Sequence, residues 1–193
     1  MAAGRIHITG GPGGGKSTLA KRLAAILDAP VYDLDGLSLA AGYELARPVT
    51  AEAVIALMTP QAEALAQQPR WVSEGAYLDW TRPLFERADL VVWMDVPWRV
   101  ASYRILTRHL KASVARNNRF PGLGNLYRFW RWSSRYYAGA NVHGLNVYGT
   151  PETRSRLIEE LSRHESKLVP CHSQAEIEGL LETLRRSQRA GPA

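Results

Sequence analysis

The sequence predicts an α/β protein in which a parallel sheet of five strands lies between two layers of helices, a three-layer α/β/α domain with a helical lid. Three observations lead to this fold class. Strand-like segments alternate with segments of helical periodicity along the chain, as in a parallel sheet whose crossovers are helices. The run 90–94 is apolar throughout, which is typical of a strand buried on both faces. The 193 residues, 46% of them hydrophobic, are enough for one well-buried domain.

The first half of the chain contains three predicted strands and two predicted helices. In chain order they are a strand around Ile6 and Ile8, a helix at 17–27, a strand at 31–34, a helix at 50–67 and a strand at 71–73. Asp28-Ala29-Pro30 breaks the first helix, and Thr50 is a suitable N-cap for the second. Glu74-Gly75 ends the third strand.

The second half continues with the apolar strand at 90–94, which Asp95 and Pro97 stop. The elements predicted after it are helices at 99–110 and 125–137, a strand at 167–170 and a helix at 175–186. We expect a single domain over 1–187, with the lid at about 111–125 and a flexible tail at 188–193.

The composition excludes two classes of protein. There is no run of about 18 apolar residues that would suggest a membrane-spanning helix, and the start of the chain has no apolar secretion signal. Cys171 is the only cysteine. It forms no internal disulfide, and we expect it to be a small buried side chain. These features predict a cytoplasmic protein with no membrane partner.

Positive charge is concentrated in one part of the chain. The net charge is +6, from 24 basic and 18 acidic residues, but no acidic residue occurs from Val96 to Pro151. The nine basic residues of this segment are Arg99, Arg104, Arg108, Lys111, Arg116, Arg119, Arg128, Arg131 and Arg135. A segment with charge of one sign indicates a place where negative charge docks, either the phosphates of a nucleotide or a nucleic-acid backbone.

The segment from Gly10 to Ser17, GGPGGGKS, fits the phosphate-binding pattern G-x-x-x-x-G-K-[ST]. Glycines allow successive backbone N–H groups to curl around a phosphate, and the helix that follows points its positive end at the same oxygens. In this pattern Lys16 reaches the β- and γ-phosphates and Ser17 ligates Mg²⁺. A strand before the loop and an amphipathic helix after it supply the structural context, so we predict binding of ATP with Mg²⁺.

Acidic residues follow three predicted strands, at the edge where open parallel sheets bind ligands. They are the pair Asp33 and Asp35, then Glu74, and then Asp95. Each is a candidate Mg²⁺ ligand, and a carboxylate here could also act as a base for an acceptor hydroxyl. Asp95 resembles the acid of a Walker B strand, but we favour its role as a cap of the helix after Pro97. For the other carboxylates the alternative is a solvated turn residue.

The two helices of the acid-free segment each present arginines on one face. Arg104, Arg108 and Lys111 share a face of the first helix, and Arg128, Arg131 and Arg135 do so on the second. A separate stripe of the second helix, Leu126, Trp130, Ser133 and Tyr137, is suited to packing on the body of the domain. A hinged pair of such helices could close over the γ-phosphate and exclude water. The aromatic residues among the arginines also allow a platform for single-stranded nucleic acid.

With these motifs the sequence resembles the P-loop small-molecule kinases of the adenylate kinase and shikimate kinase group. It is most similar to the adenylate-kinase-like branch labelled DNA topology modulation protein. The similarity spans most of the chain and includes RIHITGGPGGGKSTLAKRLAAILDAPVYDLDGL, WVSEGAY, ADLVVWMDVPWRVASYRILTRHL and FWRWSSRYY. The resemblance implies a P-loop NTPase fold and the use of ATP.

The resemblance also implies roles for individual residues. Asp35 matches the acid beside the phosphoryl acceptor, and Asp33 matches one that helps to hold Mg²⁺. Arg104 and Arg108 match arginines that contact the nucleotide, the loop around Arg116 and Arg119 matches the mobile lid, and His172 falls where relatives contact adenine. The predicted nucleotide-binding set is Gly10, Gly11, Gly13, Gly14, Gly15, Lys16, Ser17, Thr18, Arg108 and His172. The predicted catalytic set is Lys16, Asp35, Arg104, Arg108, Arg116 and Arg119, and the predicted metal ligands are Ser17, Asp33 and Glu74.

Two departures from these relatives bear on function. Glu74-Gly75 stands where the topology-modulation branch carries Asp-Gly, and between Gly36 and Arg70 only Arg47 and Arg70 are basic. The arginine-rich acceptor motifs of true shikimate and nucleoside-monophosphate kinases are therefore missing. We predict an ATP-dependent phosphotransferase acting on a small polar, hydroxyl-bearing molecule. The alternatives are a nucleoside-monophosphate kinase and a nucleic-acid-associated P-loop ATPase.

Overall fold

The sheet of the computed structural model has five parallel strands in the order β2-β3-β1-β4-β5. The structure describes residues 3–38, 50–118, 120–138 and 153–189. The strands are β1 (Arg5–Gly10), β2 (Val31–Asp33), β3 (Trp71–Glu74), β4 (Leu90–Met94) and β5 (Leu168–Cys171). The predicted parallel five-stranded sheet is thus confirmed. Because all strands run the same way, their carboxyl ends lie at one edge, called the carboxyl edge below.

Helices connect the strands and cover both faces of the sheet. They are α1 (Lys16–Leu27), α2 (Ala51–Ala66), α3 (Arg82–Arg87), α4 (Trp98–Val114), α5 (Leu123–Tyr137), α6 (Arg154–Ser162) and α7 (Gln174–Arg189). Residues 34–38 form a further helical turn and 165–167 a 3₁₀ turn. Among the described residues, no helix is long and apolar enough to cross a membrane.

Two hydrophobic cores lie on opposite faces of the sheet, which confirms the three layers. Successive residues of a strand point to opposite faces. Ile6 and Ile8 of β1 therefore pack against α1 and α7, whereas His7 faces Phe85 of α3 in the core that α2 and α6 also cover. Cys171 is fully buried, as expected.

Several element boundaries differ from the sequence-based expectation. The second strand ends at Asp33 instead of Leu34, because the Asp33 carboxylate accepts hydrogen bonds from the N–H groups of Asp35 and Gly36 and so turns the chain. Helix α4 continues to Val114, and the chain leaves the helix only near Arg116, which has a φ of 54°. The last helix continues through Arg189, beyond the expected end near Arg186.

Candidate functional site

The glycine loop connects β1 to α1 at the centre of the carboxyl edge. Gly10, Gly13 and Gly15 have φ values of 135°, 76° and 101°, in the left-handed range that side chains disfavour. A Cβ atom at Gly10 would lie 2.5 Å from the carbonyl oxygen of Met94, and one at Gly13 would lie 2.6 Å from that of Ala101. The glycines are thus required both by backbone conformation and by close packing against β4 and α4.

Lys16 begins α1, so the N-terminus of this helix points at the loop. Its ammonium group folds back over the loop and donates hydrogen bonds to the carbonyl oxygens of Gly10 (2.9 Å) and Gly11 (3.3 Å). Ser17 and Thr18 follow on the exposed first turn. The loop, the lysine and the helix terminus therefore form a positively polarised cradle for an anion.

Glu74 ends β3 beside this cradle and is only 3% exposed. Burial raises the pKa of its carboxyl group, and the nearby carboxylates of Asp33 and Asp35 raise it further. A hydrogen bond from the Ser17 hydroxyl and the positive charge of Lys16 act in the opposite direction. Glu74 thus lies at the meeting point of the loop and the acidic end of β2.

The acidic pair follows the neighbouring strand β2. Asp33 is in register with Glu74 in the β2–β3 ladder, which places the two carboxylates at the same level of the carboxyl edge. Asp33 Oδ1 accepts hydrogen bonds from the N–H groups of Asp35 (3.0 Å) and Gly36 (3.2 Å). The strand therefore ends between the two acids, and Asp35 lies on the exposed helical turn that follows.

Asp95 corrects one sequence-based expectation. It does not cap α4, because the N-cap position is occupied by Pro97 and no side chain makes the capping hydrogen bond. Both of its carboxylate oxygens accept hydrogen bonds from the Arg154 guanidinium group, at 2.9 and 2.7 Å, and that group also lies over the ring of Trp93. Asp95 is thus engaged in an ion pair, which does not favour a Walker B role.

The predicted arginines have different surroundings. Arg104 is half-buried and donates a hydrogen bond from Nη1 to the carbonyl oxygen of Gly14 at 2.7 Å, so it lies directly on the loop. Arg108 is exposed, with its guanidinium carbon 6.0 Å from the centre of the Phe129 ring. Arg116 lies on the exposed turn after α4. Arg119 and Arg47 lie outside the described residues.

His172 follows β5 at the same edge of the sheet. Its Nδ1 atom lies 3.3 Å from the backbone oxygen of Asp95 and 3.4 Å from the carboxylate, and its ring meets Trp93 edge-on. The side chain is half exposed. The structure therefore places His172 at the end of the strand next to β4, on the side of β4 opposite the loop strand β1.

Sequence reasoning missed the contact of α5 with the glycine loop. It expected Tyr137 to pack on the body of the domain, but did not identify what the side chain contacts. Tyr137 Oη donates a hydrogen bond to the carbonyl oxygen of Pro12 at 2.9 Å. A Cβ atom at Gly11 would lie 2.5 Å from the Tyr136 ring and 2.6 Å from Tyr137 Oη. The many aromatic residues in 127–137 could have indicated that this helix makes a buried contact, but they could not have identified the glycine loop as the partner.

No group of three or more His, Cys, Asp or Glu side chains within the described ranges is arranged to hold a metal ion by itself. Mg²⁺ binds to proteins through one or two carboxylates together with substrate phosphates and water. The Ser17 hydroxyl and the buried Glu74 carboxylate lie together and fit a site of this kind, in which substrate phosphates and water complete the set of ligands.

The strand order and the glycine loop after the central strand define the P-loop nucleotide-binding α/β fold. Solved structures with a similar fold include a shikimate kinase from Bacteroides thetaiotaomicron, 18% identical, with a TM-score of 0.52 over 97% of this chain and 99% of that chain. They also include a gluconokinase from Sinorhizobium meliloti, 16% identical, with a TM-score of 0.50 over 98% of each chain. No family model and no curated protein matches the sequence. The similarity to these kinases therefore establishes the fold.

Proposed function

We propose that this protein is an ATP-dependent phosphotransferase whose acceptor is a small hydroxyl-bearing molecule. One observation carries the proposal: Lys16, Ser17 and Glu74 meet at the carboxyl edge beside the acidic end of β2, Asp33 and Asp35. An anion cradle, a metal-ligand pair and a free carboxylate are the components that phosphoryl transfer to a hydroxyl group requires.

The phosphates of ATP would lie in the glycine loop. The backbone N–H groups of Gly13 to Thr18 and the Lys16 ammonium group would bind their oxygens, as in other loops of this pattern. Lys16 would exchange its two loop carbonyl partners for phosphate oxygens. Arg104, which already touches Gly14, is placed to add positive charge, and Arg108 and His172 are our candidates for contacts with the rest of the nucleotide.

Magnesium would be held by Ser17 and Glu74, with Asp33 as a further candidate. When bound, the ion neutralises charge on the β- and γ-phosphates. Burial disfavours the charged form of the Glu74 carboxylate, whereas the Ser17 hydroxyl and the Lys16 charge favour it. A divalent cation beside Glu74 would favour the charged form further. Asp33 keeps one carboxylate oxygen that does not accept the turn hydrogen bonds.

Asp35 would act on the acceptor. It is exposed and lies two residues beyond Asp33, to which it donates a hydrogen bond from its backbone N–H. A carboxylate is useful to a hydroxyl acceptor, which is a poor nucleophile, but it repels a phosphate acceptor. The two kinases with a similar fold are named for shikimate and gluconate, both of which are small hydroxyl-bearing acids.

The segment 111–125, which includes the end of α4 and the start of α5, would serve as the lid, with Arg116 and Arg119 entering the site on closure. The lid, the single domain over 1–187, the cytoplasmic location and the placement in the topology-modulation branch are parts of this proposal. Within the segment ADLVVWMDVPWRVASYRILTRHL, which carries part of the resemblance, Arg104 contacts the glycine loop, and this contact supports the likeness to adenylate-kinase-like enzymes.

The test is a screen for ADP release from Mg-ATP with sugars, nucleosides, nucleoside monophosphates and hydroxylated antibiotics as acceptors. Transfer to one hydroxyl-bearing class, absent in Lys16→Ala, is the expected result. Transfer to nucleoside monophosphates alone would contradict the acceptor class and support the monophosphate-kinase alternative. ATP hydrolysis that responds only to nucleic acid, with steep salt dependence, would support the nucleic-acid-associated ATPase.

A further inference from the structure

The glycine loop is held from outside by the two helices that follow β4. In a loop of this kind the N–H groups face the phosphates, and in this structure the carbonyl groups of Pro12 and Gly14 face α4 and α5. The carbonyl oxygen of Pro12 accepts a hydrogen bond from Tyr137 Oη at 2.9 Å, and that of Gly14 accepts one from Arg104 Nη1 at 2.7 Å. Both donors belong to the α4–α5 pair, and neither is close to the loop in the sequence.

The contact of Tyr137 with the loop is tightly packed. Gly11 approaches so closely that an added Cβ atom would lie 2.6 Å from Tyr137 Oη. The Tyr137 ring packs on Trp98 with ring centres 5.2 Å apart, and Trp98 packs on Trp130 at 5.4 Å. Trp130 in turn donates a hydrogen bond from Nε1 to Ser102. This row of rings joins α4 to α5 and fixes the position of the Tyr137 hydroxyl.

The hydroxyl group is a stable hydrogen-bond donor. Burial raises the pKa of Tyr137, with smaller contributions in the same direction from Tyr136 and Asp95, although the charge of Arg104 opposes them. The phenol therefore stays protonated throughout the neutral range. Its proton points to the Pro12 carbonyl oxygen.

We propose that Tyr137 is a positioning residue of the nucleotide site, whose hydroxyl holds the Pro12 carbonyl outward and thereby keeps the glycine loop in the shape that receives phosphates. The residue acts through the loop. The proposal depends on one part of the proposed function, namely that the glycine loop binds the nucleotide. Because Arg104 and Tyr137 come from α4 and α5, the placement of these two helices and the shape of the loop are linked.

The test uses Tyr137→Phe, which keeps the ring packing and removes the donor. Its affinity for Mg-ADP should fall about threefold to tenfold, the scale of one neutral hydrogen bond. Amide exchange at 10–17 in the nucleotide-free protein should become faster, while exchange in β1, β3 and β4 stays at the parent rate. The matched control is Tyr127→Phe on the same helix. Tyr127 is 57% exposed, and this variant should behave like the parent.

Equal Mg-ADP affinity and equal loop exchange in Tyr137→Phe and the parent would overturn the proposal. Faster exchange throughout the sheet, with a lower unfolding temperature, would also overturn it, because Tyr137 would then be a general packing residue. The exchange experiment requires neither acceptor nor turnover. A protein that shows the loop effect but transfers no phosphoryl group would therefore contradict the proposed function and not this role of Tyr137.

Discussion

At the scale of single residues, the Lys16 ammonium group donates hydrogen bonds to two carbonyl oxygens of its own loop. We predict that Lys16→Ala lowers ATP turnover by about a thousandfold or more, because the transferring phosphate loses a charge partner. The fold should persist, since the Lys16 ammonium group lies on the glycine loop and is bound to carbonyl oxygens of that loop. The measurement is ADP release together with a thermal unfolding curve. Lys21→Ala, an exposed position on the same helix, is the matched control, and full turnover in a folded Lys16→Ala protein would refute the loop assignment.

Asp35 tests the acceptor class. Asp35→Asn keeps the shape of the side chain and removes its charge and basicity. We expect phosphoryl transfer to fall roughly a hundredfold, the usual effect of losing a general base, with little change in ATP affinity. Single-turnover kinetics with the acceptor found by the screen would measure this. A mutant that transfers at the parent rate would make Asp35 an ordinary turn residue and favour a phosphate acceptor.

His7 is a titratable residue remote from the site. It is fully buried in β1, its Nδ1 lies 2.9 Å from Ser73 Oγ, and its ring meets Phe85. Burial, with a smaller contribution from His164, lowers the pKa of His7 to about 3. The unfolded chain, with a pKa near the ordinary 6.5, therefore binds the proton between about pH 6.5 and 3 while the folded protein does not.

From this difference we predict that His7 makes the free energy of unfolding fall as the pH falls below about 6.5, by up to about 1.4 kcal/mol per pH unit. His7→Asn retains a polar partner for Ser73 but does not titrate. Urea unfolding at pH 7 and pH 5 should show a smaller loss of stability in His7→Asn than in the parent. Identical losses in the two proteins would mean that the pKa of His7 is the same in the folded and unfolded states.

At the scale of elements, the sequence predicted the parts of the candidate site that follow from a contiguous motif or from the position of strand ends. The glycine loop is contiguous, and Asp33 and Glu74 follow strands whose carboxyl ends must share one edge. The ion pair of Asp95 with Arg154 and the hydrogen bond from Tyr137 to Pro12 join residues 59 and 125 positions apart. No local pattern encodes such contacts, so the sequence left Asp95 with a capping role that the structure does not support.

The segment proposed as the lid, 111–125, includes the end of α4 and the start of α5. We expect a non-hydrolysable ATP analogue with Mg²⁺ to slow amide exchange between Ala112 and Leu126, because closure would shield these N–H groups. Hydrogen exchange with mass spectrometry provides the measurement, and Lys16→Ala with the same analogue provides the control. Protection restricted to Gly10–Ser17 would show that the basic segment serves another partner.

At the scale of the whole molecule, the parallel five-stranded sheet and its two helical layers were predictable because buried strands and amphipathic helices each follow a simple period, whereas the order of the strands was not predicted. The fold itself is compatible with many chemistries, and function depends on the residues placed at the carboxyl edge. In this chain those residues come from opposite sides of the central strand: Asp33 and Glu74 from β2 and β3, and His172 from the end of β5. The nucleotide and the acceptor would accordingly meet above β1.

The ion pair between Asp95 and Arg154 has an architectural consequence. It joins the residue that follows β4 to the first residue of α6, 59 positions later in the chain, so the two ends of the segment that contains α4 and α5 are fastened to each other. Lengthening a segment whose ends are held together costs little free energy, because the entropy of loop closure grows only with the logarithm of the length. Arg104 and Tyr137 hold the glycine loop from within this segment, so we expect insertions to be tolerated only away from the helix turns that carry these two contacts.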